Sequence, residues 1–179
     1  MRVIRNFIVL SATILAFSSL NVPAQSGSDP TLERQVQKKI LRLPNYEVFD
    51  NISFDINGGT VTLYGEVYNA RNKKDAEAYV EDVPGVTRVV NNIEILPLSN
   101  FDDSIRRNLY QSISNFGGLS RYLWTGNPSV RLIVSRGHVT LEGYVANKGD
   151  YDSMYVVARG VSGVFSVKNN LKVDRDKAR

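Results

Sequence analysis

The chain contains no cysteine, one histidine, one tryptophan and two methionines in 179 residues. The absence of cysteine excludes a disulfide framework, a thiolate metal site, a cysteine nucleophile and a lipid-acceptor thiol behind a leader peptide. With one imidazole, His138, there is no histidine cluster for a metal, and no recognisable nucleophile or base is spaced to work with it. His138 is expected on the solvent side of a hairpin, and no catalytic residue, metal site or cofactor is assigned. Long apolar runs are also scarce. The one present, Phe7 to Leu20, is 14 residues long and is diluted by Ser11, Thr13, Ser18 and Ser19, whereas a bilayer span needs roughly 20 predominantly apolar residues. Arg2 and Arg5 precede it and Val22-Pro23-Ala24 follows it, the layout of a secretory signal peptide over residues 1–24. Cleavage is expected after Ala24, leaving a periplasmic, soluble chain from Gln25 to Arg179 that is not a lipoprotein.

Neither sign of charge dominates, with 22 basic and 18 acidic residues. The net charge of +4 falls to +2 once Arg2 and Arg5 leave with the leader, which removes the electrostatic basis for binding nucleic acid. The distribution is uneven: residues 30–97 hold 8 basic and 10 acidic side chains, residues 101–175 hold 10 and 6. The second half is therefore the one suited to an anionic surface.

What the chain does have is a duplication. Gly59-Thr60-Val61-Thr62-Leu63-Tyr64-Gly65-Glu66-Val67 falls on Gly137-His138-Val139-Thr140-Leu141-Glu142-Gly143-Tyr144-Val145 at an offset of 78. The same offset carries Val83-Pro84-Gly85-Val86 onto Val161-Ser162-Gly163-Val164, and Asn91-Asn92-Ile93 onto Asn169-Asn170-Leu171. Repetition in one register over three blocks governs the whole fold assignment. Upstream, Leu32, Val36 and Ile40 repeat at helical spacing, as do Ile105, Leu109 and Ile113. There the offset is 73, which places a five-residue insertion between Asn115 and Ser129.

Asp29-Pro30 is expected to cap the first helix, and Ser99 or Asn100, with Asp102 or Asp103, its counterpart. Alternating Ile52, Phe54 and Ile56, the turn Asn57-Gly58-Gly59, and Val61, Leu63 and Val67 read as a β-hairpin with one buried face; Val130 to Val145 reads the same way. A second helix, with Asn72 and Asp150 as expected caps, buries Ala76 in one copy and Met154 in the other, and a last strand follows. Each copy is thus an α-β-β-α-β unit. The fold class is α+β: two tandem units, each a three-stranded mixed sheet with two helices on one face, over residues 30–97 and 99–175.

This pattern, two units with Gly-x-Val-Thr-Leu-x-Gly-x-Val, Val-x-Gly-Val and Val-x-Asn-Asn-Ile/Leu behind a signal peptide, resembles the BON-domain family, which includes osmotically induced periplasmic proteins. The resemblance covers Thr31 to Asp174. It implies a non-enzymatic module of the cell envelope, associated with osmotic stress, that binds phospholipid or membrane surfaces. Several two-unit members are lipoproteins; without a cysteine to acylate, this chain is expected to make reversible contact.

The candidate binding segment is the insertion: Phe116, Leu119, Arg121, Tyr122, Leu123 and Trp124. Amphipathic rings favour the bilayer interface and arginine pairs with lipid phosphate. The competing reading is that Leu123 and Trp124 fill the core or the space between copies. Lys38, Lys39 and Arg42, and Arg106 and Arg107 on the counterpart helix, read as solvated faces by default; Arg106 and Arg107 become candidate partners for anionic phospholipid if the insertion also touches lipid. The alternative to lipid is an envelope protein met through Tyr64, Tyr68, Tyr122 and Trp124, in an adaptor or chaperone-like role. Gly65 and Gly143 are expected to let a helix pack closely. Asn91 and Asn169 are expected to bond local backbone at a bulge or strand end.

Overall fold

A computed structural model of the chain describes residues 30–124 and 126–178; the expected leader, its cleavage point and the Asp29 cap lie outside the described residues. The first unit comprises α1 (Pro30–Ile40), β1 (Asn51–Asn57), β2 (Thr60–Val67), α2 (Ala70–Glu81) and β3 (Arg88–Ile95). The second comprises α3 (Asn100–Ser114), a 3-10 turn (Leu119–Leu123), β4 (Val130–Ser135), β5 (His138–Val145), α4 (Lys148–Arg159) and a final strand split into β6 (Ser166–Asn169) and β7 (Lys172–Val173). In each unit the first two strands pair antiparallel and the third returns parallel to the second. The central strand is therefore β2 in one sheet and β5 in the other.

Periodicity accounts for the interiors. The i, i+4 apolar row of α1 (Leu32, Val36, Ile40) packs with Val61, Leu63, Val67, Ala76 and Val80 in one core. The matching row of α3 (Ile105, Leu109, Ile113) packs with Val139, Leu141, Val145, Met154 and Ala158 in the other. Ala76 and Met154, 78 positions apart, are both fully buried.

Three local expectations are corrected. The caps of α2 and α4 are Asn69 and Asn147, whose side chains accept from the amides of Arg71 and Asp150. Asn72, expected as a cap, is buried within the first turn of α2, where its amide donates to Asn45 O (2.7 Å) and Asp50 Oδ2 (2.9 Å). Gly65 and Gly143 do not serve helix packing. They sit at φ +119° and +112°, and a Cβ on either would run into a backbone carbonyl oxygen, of Asn51 in β1 or of Ser129 just before β4. The third is Asp102. Ser99 caps α3 as expected, but the Asp102 carboxylate crosses to the second hairpin and accepts from the amides of Arg136 and Gly137, each at 2.8 Å. It thereby holds a turn in which Arg136 has φ +52°, a conformation costly for a side chain with a Cβ.

Asn91 and Asn169 bond backbone locally, and also reach across the layers. Their side-chain oxygens accept from the amides of Ile93 and Leu171, while their side-chain amides donate to Lys73 O on α2 and Tyr151 O on α4. Each ties a helix to its sheet.

The units are joined along the outer edge of β4, an edge strand whose alternate side chains are buried on both faces. The segment between α1 and β1 lies against it: Leu132 N–H donates to Val48 O (2.8 Å), and Arg131 Nη1 donates to Glu47 O (2.9 Å) while its guanidinium stacks 4.2 Å above the Tyr46 ring. Val48 belongs to the second unit's core. A second contact places Arg106 of α3 over the Tyr68 ring at 4.4 Å.

Asp50 organises this joint from the first unit's side. It is 1% exposed, and it accepts from the amides of Glu47 (2.9 Å), Tyr68 (2.7 Å) and Asn69 (3.4 Å) and from the Asn72 side chain. Burial pushes its carboxyl above the usual range, against the lowering effect of those amides and of the Arg131 charge.

Gly143→Ala forces a side chain into a left-handed backbone and against Ser129 O, so it is expected to destabilise the protein by about 3 kcal/mol. Urea denaturation measures this, and a loss below about 0.5 kcal/mol, the range of a neutral surface change, would contradict the assignment. For Asp50 the folded carboxyl titrates above the unfolded one. Its favourable contribution is complete below about pH 4, where the unfolded carboxyl is protonated, and it is lost as pH rises through the raised folded value. The stability of wild type relative to Asp50→Asn should therefore decline from about pH 4 upward, and a difference that grew with pH would refute the burial argument.

Candidate binding groove between the two units

The segment that seals β4 forms one wall of a groove. Tyr46, Glu47, Val48 and Phe49 of the first unit face Arg107, Tyr110 and Gln111 of α3, and the insertion closes the space with Leu123, Trp124, Gly126 and Pro128. The cavity measures about 390 Å³, within the range of small-molecule sites. Its position follows from helical spacing: with Ile105, Leu109 and Ile113 turned into the core, residues 107 and 111 fall on the opposite side of α3 and residue 110 on its flank. Phe49 and Tyr110 meet across the units with ring centroids 6.4 Å apart. Trp124, the residue after the 3-10 turn, is 73% exposed.

The eight residues singled out in the sequence separate sharply. Trp124 and Arg107 are exposed and line the groove, and Leu123 lies beneath them with most of its surface in the second core. Phe116 is exposed but stands outside the groove. Leu119 is a core residue. Tyr122 is fully buried; its hydroxyl donates to Asp150 Oδ2 (2.5 Å) and accepts from the Ala146 amide (3.0 Å). Arg121 bridges Gly118 O (3.0 Å), the Tyr122 hydroxyl (3.1 Å) and Asp150 Oδ2 (2.5 Å). Together they clasp the insertion to the first turn of α4.

Arg106 is the clearest correction. It is 2% exposed, it donates to Asp103 Oδ1 (2.7 Å) and Val134 O (2.6 Å), and its guanidinium covers Tyr68. It therefore holds the units together and offers no charge to a ligand.

The four aromatics expected to meet a polypeptide separate in the same way: Tyr64 and Trp124 are exposed, Tyr122 is buried and Tyr68 lies under Arg106. His138 is exposed, with Nδ1 2.7 Å from Ser166 Oγ and its ring edge-on to Phe165. Among the described residues no group of three His, Cys, Asp or Glu side chains is placed to hold a metal ion.

The first unit's share of the groove was not expected from sequence. The available signal was the cluster Tyr46, Val48 and Phe49 between a helix and a strand, where a solvated loop would carry fewer apolar groups.

The chain matches the BON domain family twice, over residues 28–97 and 102–175. Among solved structures it is similar to the C-terminal domain of CdsD, a structural protein of the type III secretion system of Chlamydia trachomatis, at 14% identity and a TM-score of 0.31, with 82% of this chain and 99% of that chain covered. A second structure of CdsD from the same organism aligns at 15% identity and a TM-score of 0.28, covering 82% of this chain and 94% of that one. No curated protein matches the chain. With two family matches spanning both α-β-β-α-β units, the chain belongs to the BON domain family.

Proposed function

We propose that this BON-domain protein is exported to the periplasm and binds anionic phospholipid surfaces reversibly, with Trp124 entering the interfacial layer and Arg107 meeting lipid phosphate. Membership of a family of generally non-enzymatic envelope modules supports a binding role. The observation that carries the reading is the exposure of Trp124 at the rim of an apolar groove, next to an unburied cation. An indole left in water at one edge of an apolar surface is suited to the bilayer interface, where one end of the ring stays wet.

The magnitudes favour weak attachment. One basic residue near an anionic leaflet contributes about 1 kcal/mol, and Arg106 adds nothing because its charge is buried between the units. No helix among the described residues is long and apolar enough to cross a membrane, and the sequence offers no cysteine to acylate. Contact of this kind depends on salt and on lipid charge.

Residues 25–179 should co-sediment with phosphatidylglycerol vesicles at low ionic strength and should release at roughly 0.5 M salt, where screening shortens to a few ångströms. Trp124→Ala should weaken the association about tenfold, equivalent to roughly 1.4 kcal/mol. Absence of co-sedimentation at low ionic strength would remove the proposal.

A further inference from the structure

We infer that the groove between the two units receives a single acyl chain of an anionic phospholipid, with the head group held at the rim by Arg107; this deepens the lipid reading above and rests on it. The chemistry of the walls selects the occupant. Val48, Phe49, Tyr110, Leu123 and Pro128 present mainly apolar surface, which an alkyl chain covers without requiring any hydrogen bond.

An extended peptide would need main-chain partners, and two carbonyls of the first unit's wall are already taken. Glu47 O already accepts from Arg131 and from the Asp50 amide, and Val48 O accepts from Leu132. On the opposite side the backbone of α3 is bonded within its own helix. A strand laid along Glu47 and Val48 would find both of these carbonyls occupied, and an amide buried without an acceptor is costly. A chain of methylenes has no such cost.

Charge at the rim is mixed. Arg107, exposed on α3, attracts an anionic head group, and Glu47 on the facing wall repels it. The two predict opposite effects of substitution, which the same charge changes made away from the groove would not show.

The test uses monomeric brominated tetradecanoate, kept below its critical micelle concentration, as the probe. Trp124 is the sole tryptophan, so bromine quenching of its emission reports occupancy of the groove directly. Saturable quenching at one probe per chain is expected, weakened about tenfold by Tyr110→Asp and several-fold by Arg107→Glu, and strengthened by Glu47→Gln. All three positions are at least partly exposed, and circular dichroism establishes that each variant is folded; should Tyr110→Asp unfold, the opposed pair Arg107→Glu and Glu47→Gln decides. Quenching that ignores all the substitutions would overturn the inference, because the chain would then lie elsewhere. Absence of quenching by monomer, while phosphatidylglycerol vesicles still shift the Trp124 emission, would overturn the inference and leave the surface reading standing. Loss of both signals would overturn both.

Discussion

The second sheet would have an open edge at β4 without the segment that follows α1. An uncovered edge strand presents unpaired amides and carbonyls to any passing strand, and here the Leu132 amide is paired with Val48 O inside the same chain. Much else in the architecture depends on this contact. It brings Val48 into the second core, sets Tyr46 beneath Arg131, and places Phe49 opposite Tyr110. The groove exists because a loop of one unit serves as an edge cover for the other.

The duplication is faithful where the scaffold requires it and breaks down where the units meet. Gly65 and Gly143 both pass a carbonyl at the start of the preceding strand segment, that of Asn51 or Ser129, and Asn91 and Asn169 both tie helix to sheet. These are properties of a single unit, so both copies keep them. Arg131 on β4 corresponds at the 78-residue offset to Ser53 on β1, and the 3-10 turn of the insertion has no counterpart after α1. A joint between two non-equivalent units needs surfaces that differ. The insertion supplies one such difference, and the short aromatic segment Tyr46 to Phe49 supplies the other.

This division explains what could be read from the sequence. The apolar rows of α1 and α3, the two hairpins and the pairing of Ala76 with Met154 were legible because each follows from a period of 3.6 or 2 within a few residues. Arg106 was not. Its place on the sequence, beside Arg107, matches a solvated helix face, and only the fold reveals that Val134 O and the Tyr68 ring enclose it. Tyr122 misled for the same reason: an aromatic in an insertion looks available until Asp150, 28 residues away, is seen to accept its hydroxyl. The glycines in β2 and β5 read from sequence as points of close approach, but alternation along a strand does not show that the close neighbour is a carbonyl of the paired segment and not a helix. Half of the groove was missed because its wall comes from the other unit.

The charged groups at the joint raise the question of why apolar residues do not occupy it instead. Burying Arg131 disfavours its charged form, as burying Asp50 disfavours the carboxylate, and replacing buried ions with well-packed apolar groups is often neutral or favourable for stability alone. An apolar seam, however, would tolerate sliding along β4, since dispersion and burial are not directional. A planar guanidinium bonded to Glu47 O and stacked on Tyr46 has one geometry, and Asp50, by gripping the amides of Glu47 and Tyr68 within the first unit, holds the segment that receives it. Arg131 therefore supplies a directional contact between the units that an apolar pair would lack. Register is what a groove with walls on two units requires, because a shift of one residue along β4 would turn Val48 out of the second core and move Phe49 away from Tyr110.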